Sequence, residues 1–248
     1  MQLCAIIPAY RHYRELPRLI AALKPFCAGI IIVDDGNESP AREAIAACAE
    51  PAVAVLRQDV NSGKGAAMAA GFRAALAQGF THALQIDADG QHDVADLPRF
   101  AAAMQAAPDA MICGQALYDE SVPKARKIGR NITHFWVWVE TCSFDIADSM
   151  CGYRLYPLAD VAAVLRGGGV GARMDFDTEI AVRMHWRGVR VVNLPTRVIY
   201  PEGNVSNFAM LADNVRISLM HTRLVLQAPF RLLWKLIAHS KRKPARPA

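Results

Sequence analysis

The sequence predicts an α/β fold, a mostly parallel sheet with helices on both faces. Three observations predict it. Short apolar runs rich in Ile and Val alternate with longer segments whose apolar residues recur at helical spacing. At 248 residues and 53% hydrophobic, the chain is long enough for one large α/β domain or two small ones. The polar motifs of the first half all fall where a strand would end, the edge at which open parallel sheets bind ligands.

Residues 2–8 read as a first strand. They lack a basic start and a long apolar core, so the reading is a strand and not a secretory leader. Leu16, Leu19, Ile20 and Leu23 fit a helix over 13–24, and Ile30 to Val33 a second buried strand after Gly29. Pro40 opens a helix to about Cys48, and residues 53–57 form a third strand. An Ala-rich helix over 65–77 stops near Gly79, followed by a strand at 82–86, a helix over about 94–106 and a strand at 110–114. Repeated β-α-β units imply parallel pairing. Further on, residues 174–180 begin a helix that continues through Trp186, and a last helix runs from about Phe208 to His239 with a break or kink at Pro229. The organisation expected is a domain over 1–207 and an amphipathic helix with a basic tail over 208–248.

The net charge of +5 is unevenly placed. Residues 205–248 hold eight Lys and Arg against one Asp, a balance of +7, which leaves −2 for the preceding 204. A basic groove for nucleic acid is therefore not expected, and a C-terminal segment attracted to anionic lipid is. Only seven uncharged residues separate Arg223 from Arg231, far short of the ~18 that a membrane span needs. The helix is expected to lie on the inner leaflet, with packing on the domain or at a homodimer interface as the competing account. The six cysteines form no CxxC pair. Cys4, Cys27, Cys48 and Cys113 lie in apolar surroundings and read as reduced core residues of a cytoplasmic protein. His92, His134 and His221 do not have the spacing of a metal triad and read as non-ligands.

The strand-end motifs carry the chemistry. Asp87 and Asp89 stand one residue apart behind a buried strand, with Gln91 close by. Paired carboxylates suit Mg2+ or Mn2+, hard cations that take one or two protein oxygens and the rest from phosphates and water. The competing reading is an acidic turn in which Asp93 or Asp96 caps the next helix. Asp34 and Asp35 can accept hydrogen bonds from a base or a ribose, or form a plain Asp-Gly turn. Gly63-Lys64-Gly65 ahead of a helix offers backbone N–H groups and a cation to a phosphate. It is no Walker A loop, since Gln58 stands six before Lys64 and Gly65 where Ser or Thr is needed. The first strand is followed by no GxGxxG, which argues against a dehydrogenase.

Pro8-Ala9-Tyr10, Val33-Asp34-Asp35-Gly36, Asn61 to Ala67 and Asp87 to His92, in this order, resemble the family 2 inverting glycosyltransferases. Asp148 to Leu155 is similar to the D-x-x-x-G-F-R segment of the dolichyl- and polyprenyl-phosphate sugar synthase branch. The likeness spans roughly residues 3–207. It implies a GT-A fold, a UDP- or GDP-sugar donor and Mg2+ or Mn2+. By position, Pro8, Tyr10, Asp34, Asp35, Lys64 and Asp87 would serve the nucleotide sugar, and Asp89, Asp87 and Gln91 the metal. His12 stands where the family often has an acidic residue. In similar synthases, basic residues near Arg126 and Arg130, and the Arg at the place of Arg154, meet the acceptor phosphate or the diphosphate. Ser206, in the loop 200–208 that resembles the acceptor loop, joins them.

Asp177 occupies the place where members with hydroxyl acceptors carry a general base. A positioned base contributes ~10²–10⁴-fold, whereas a lipid phosphate is already an anion and needs none. Favourable charge at a helix start is the other account of Asp177. The expectation is sugar transfer to a polyprenyl-phosphate lipid by a peripheral enzyme on the cytoplasmic face. Transfer to a hydroxyl of a glycolipid or lipid-linked product is the alternative. A non-catalytic nucleotide-sugar-binding or membrane scaffold protein is a more distant one.

Overall fold

The computed structural model describes residues 1–117, 124–198 and 207–241. Seven strands form one sheet in the order β3-β2-β1-β4-β6-β5-β7. They are β1 (Leu3–Ala9), β2 (Gly29–Asp35), β3 (Val53–Gln58), β4 (His82–Gln85), β5 (Ala110–Leu117), β6 (Arg154–Pro157) and β7 (Arg190–Arg197). Pairing is parallel except around β6, which runs antiparallel to β4 and β5. The central strands are buried on both faces, as their unbroken Ile and Val runs require.

The helices are α1 (Leu16–Leu23), α2 (Ala41–Ala46), α3 (Lys64–Ala77), α4 (Leu97–Ala106), α5 (Lys124–Thr141), α6 (Leu158–Arg166), α7 (Phe176–Trp186) and α8 (Met210–Lys241). One core lies under α1, α2 and α4, around Leu16, Leu23, Ile32, Phe100 and Tyr153. The other lies under α3, α6, α7 and α8, around Ile6, Phe72, Tyr156, Phe176 and Leu224. Cys4, Cys27, Cys48 and Cys113 are unbridged. Burial pushes the thiols of Cys4 and Cys27 up to about 12 and that of Cys113 to about 11, so they stay protonated as apolar filling. Cys48 is only half-buried.

Several expected boundaries shift. The helix expected from residue 13 begins at Leu16 with Pro17 in its first turn. The one expected from about 94 begins as a 3₁₀ turn at Val94–Asp96, capped by Asp93, whose carboxylate accepts from the Ala95 N–H at 2.9 Å. Asp96 instead bonds Arg99 and Thr196. Pro229 does not break α8, which is continuous through it.

The first half of α8 is packed against the domain. Met220, Leu224 and Ala228 are buried. His221 bonds Glu140 of α5 at 2.6 Å, and Arg223 bonds the fully buried Glu179 of α7 at 2.6 Å. The opposite stripe, including Leu211, Leu219, Leu226 and Phe230, is exposed. On the neighbouring α5, Ile128, Ile132, Phe135 and Val139 are exposed in the same way. Among the described residues no helix is long and apolar enough to cross a membrane.

Candidate active site

The carboxyl ends of β1, β2 and β4 meet the N-termini of α3 and α7, and the polar motifs converge there. Asp34 and Asp35 end β2 and are both buried. Asp35 accepts the Ser62 N–H at 2.7 Å and the Gly63 N–H at 2.9 Å, one on each carboxylate oxygen. It therefore shapes the loop that leads into α3. Asp34 accepts from the N–H and the side-chain amide of Asn37, at 2.9 and 2.7 Å, and from Arg57. Gly36 takes φ +71°, and a Cβ there would fall 2.3 Å from the Val60 carbonyl carbon, so only glycine lets the two loops cross. Both carboxylates are thus engaged in holding the loops at this strand end.

Lys64 opens α3, and its Nζ lies 2.8 Å from the Asp87 carboxylate and 2.7 Å from Asp177 Oδ2. Burial alone would push this amine toward neutrality, but Asp177 and Asp87 outweigh it and hold the proton firmly. Asp177 is buried in the first turn of α7. Its other oxygen accepts from Gln85 Nε2 at 2.6 Å, and Gln85 Oε1 accepts from the Tyr156 hydroxyl at 3.1 Å. A chain of bonds thus runs Tyr156, Gln85, Asp177, Lys64, Asp87.

Burial raises the Asp87 carboxyl, but Lys64 and the nearby His92 more than reverse this and hold it well below the usual range. Asp89 goes the other way, raised by burial and then by Asp87. Its Oδ1 accepts the Gln91 N–H at 3.0 Å, which folds the Asp89–Gln91 turn. Gly152 covers this group. A Cβ on it would stand 2.6 Å from Asp87 Oδ2 and 2.7 Å from Lys64 Nζ.

Arg154 lies on β6. It is fully buried and donates to the backbone carbonyls of Asp177 and Asp148, fastening the start of α7 to the 148–151 loop. Arg130 pairs with Asp148. The Asp148 carboxylate also accepts the N–H groups of Ala116, Met150 and Cys151, at 3.1, 2.9 and 3.0 Å. Pro8 and Tyr10 are half-buried at the end of β1. Arg11 lies 5.0 Å over the Tyr10 ring, and Asn207 donates to the Tyr10 carbonyl. The Arg126 side chain and Ser206 lie outside the described residues.

Residues 4–166 match the family described as glycosyl transferase family 2. The chain belongs to this family. The glycosyltransferase is 25% identical over 213 residues to an undecaprenyl-phosphate mannosyltransferase of Micrococcus luteus, covering 82% of this chain and 85% of that one. It is 28% identical over 229 residues to a polyprenol monophosphomannose synthase of Mycolicibacterium smegmatis, covering 85% and 82%. In fold it resembles glucosyl-3-phosphoglycerate synthase from Mycobacterium tuberculosis, with a TM-score of 0.62 at 13% identity over 93% of this chain and 79% of that one. The likeness to S. aureus TarS residues 1–349, solved with UDP-GlcNAc, has the same score and identity over 92% and 67%. The GT-A fold expected from the sequence is the fold observed.

Several residues around Lys64 and Asp87 leave little signal in the sequence. Gln85 was part of an apolar run, and its amide shows no signal of facing Asp177. Tyr156 lies on β6, a strand too short to have announced itself. His92 Nε2 lies 3.6 Å from Asp87 Oδ2. Asp148 was visible only as part of a motif, with no hint that it gathers three backbone N–H groups.

Proposed function

We propose that this glycosyltransferase moves one sugar from a UDP- or GDP-sugar to the phosphate of a polyprenyl-type lipid, with inversion at the anomeric carbon. The observation that carries the acceptor reading is the state of Asp177. Both carboxylate oxygens are engaged, one by Lys64 and one by Gln85, so Asp177 already serves two partners within the protein. A phosphate acceptor needs no proton removed. Its oxygen attacks the anomeric carbon as the bond to the nucleoside diphosphate breaks on the opposite face.

The residues fit a divalent cation. Asp87 and Asp89 offer carboxylate oxygens one residue apart, and Lys64 pairs with Asp87 and Asp177 while Asp89 makes no ion pair among the described residues. Such ions take one or two protein oxygens and complete their shell with phosphates and water. Asp87, Asp89 and Gln91 would hold Mg2+ or Mn2+, which offsets charge growing on the leaving diphosphate. Lys64 supplies a fixed positive charge at the same edge, held there by its bond to Asp87. Asp35 presents the 61–65 loop, and Pro8 and Tyr10 line the nucleoside side.

The exposed apolar stripes of α5 and α8, with the +7 balance of residues 205–248, support a peripheral enzyme on the cytoplasmic face. The same stripe could instead seat a second copy. A hydroxyl acceptor is the second reading, favoured by the place of Asp177 at the same strand ends as Asp87, and it requires Lys64 to release the carboxylate. Asp177→Asn separates the two. With a polyprenyl-phosphate acceptor we expect most of kcat to be kept. A loss of ~10² or more at unchanged donor affinity would install Asp177 as the base and overturn the phosphate reading.

A further inference from the structure

Glu179, in the first turn of α7 two residues after Asp177, is fully buried. Its charge is met from three separate places. Arg183 Nε of the same helix donates at 2.7 Å, Arg223 of α8 at 2.6 Å, and the Gly171 N–H of the loop ahead of α7 at 2.9 Å. Arg223 and Gly171 share one oxygen, Oε2. A carboxylate withdrawn from water holds such donors firmly, because charge-assisted bonds are stronger than neutral ones.

The loop that Glu179 holds has little stiffness of its own. Residues 167–171 read Gly-Gly-Gly-Val-Gly, and Gly168 and Gly169 take φ +68° and +76°. Its last residues lie against the segment that opens α3. The Ala172 carbonyl accepts the Ala66 N–H at 2.9 Å, and Arg173 donates to the Asn61 side-chain oxygen at 3.1 Å. The approach is close. A Cβ on Gly65 would fall 2.3 Å from the Gly171 carbonyl oxygen, and one on Gly63 2.6 Å from that of Ala172. A continuous path therefore runs from α8 through Arg223, Glu179 and residues 171–173 to residues 61–66, which carry Lys64.

We propose that Glu179 and Arg223 are positioning residues for donor binding. Arg223 of α8 fixes Glu179, Glu179 fixes Gly171, and the loop so held sets residues 61–66 against the nucleotide sugar. Neither side chain touches the donor. This rests on the nucleotide-sugar reading given above. It differs from a purely structural role, in which Arg223 only fastens α8 to the domain, as the buried Leu224 does.

The test compares three variants of the full chain. Arg223→Met keeps the aliphatic stem and removes the guanidinium. Arg223→Lys restores a cation. Leu224→Ala loosens α8 by a cavity and leaves the path intact. Binding of UDP, GDP, UDP-glucose and GDP-mannose is measured by calorimetry with Mg2+, alongside thermal melts and amide hydrogen exchange of residues 61–66. For Arg223→Met we expect about fivefold or more weaker binding of whichever ligand the wild type takes, and faster exchange at 61–66. Arg223→Lys should recover part of both. Leu224→Ala should melt lower with unchanged donor affinity. Wild-type affinity in Arg223→Met overturns the proposal and leaves the nucleotide-sugar reading standing. Equal losses in Arg223→Met and Leu224→Ala overturn it too, because the seating of α8 as a whole would then set the donor segment. If the wild type binds none of the four, the nucleotide-sugar reading fails and the positioning role with it. Should Arg223→Met not fold, exchange in the wild type decides the matter. The bound ligand should slow the Gly171 amide together with 61–66, and a Gly171 amide that does not respond overturns the proposal.

Discussion

Replacing Gly152 by alanine probes the site with a single methyl group. Gly152 is buried in the loop before β6, outside the positive-φ region, so alanine introduces no backbone strain. The added Cβ would lie 2.6 Å from Asp87 Oδ2 and 2.7 Å from Lys64 Nζ, whereas ordinary contact begins at 3.4 Å. Each group must retreat by about 0.7–0.8 Å. Both atoms are the far ends of side chains, so the fold yields cheaply. Stability should change by no more than about 1 kcal/mol, a Tm shift of roughly 2–4 °C for a chain of this size. The chemistry should not yield so cheaply, because a misplacement of ~1 Å at reacting groups can cost ~10²-fold. We expect kcat/KM for the nucleotide sugar to fall by about that factor while the melt stays in place. Steady-state kinetics with a paired thermal melt measures both. A Gly152→Ala enzyme within threefold of wild type would refute the placement of Lys64 and Asp87 at the reacting diphosphate.

Asp89→Ala should remove metal-dependent donor binding and leave the melt intact, since Asp89 sits in a strand-end turn. Calorimetry with and without Mn2+ checks this, and unchanged metal dependence would contradict the cation assignment. Asp148 is held well below the usual carboxylate range, because Arg130, His134 and backbone N–H groups outweigh its burial. A carboxyl depressed by folding adds stability that is complete above its unfolded value of about 3.9 and lost as pH falls toward the folded one. Asp148→Asn should therefore cost about 3–5 kcal/mol at pH 7 and flatten the acid side of the Tm–pH curve. An acid limb identical to wild type would show that Asp148 is not the hub. The inward stripe of α8 ends at Ala228 among the described residues, so deleting 229–248 should spare donor binding and release the protein from anionic vesicles. Each basic residue near such a surface contributes about 1 kcal/mol, and binding should weaken as salt rises. Co-sedimentation indifferent to salt and to truncation would point to a protein partner for that face.

The sheet was legible in the sequence where burial on both faces demands unbroken apolar runs. Ile30 to Val33 could be little else, and Leu16, Leu19, Ile20 and Leu23 do turn inward. β6 was not legible. Its four residues Arg-Leu-Tyr-Pro have no alternation, and Arg154 reads as a charge for a ligand when it is in fact a fully buried clasp on two carbonyls. Asp34 and Asp35 were legible as site residues by type, but which hydrogen bonds they make depends on the 61–63 loop arriving from another strand end. Lys64 and Asp177 were each visible. Their pairing was not, because no local pattern couples the first turns of two helices so distant in the chain. Pro229 shows the limit of propensity, since a helix already packed through Met220 and Leu224 continues past it.

The central claim is tested most directly by giving the purified full chain radiolabelled UDP- and GDP-sugars with a short polyprenyl phosphate, and separately with the corresponding polyprenol and a hydroxyl-bearing glycolipid. The account predicts label in the lipid phase only with the phosphate, dependent on Mg2+ or Mn2+, and with the anomeric configuration opposite to that of the donor. Label on the polyprenol or the glycolipid with none on the phosphate would contradict it.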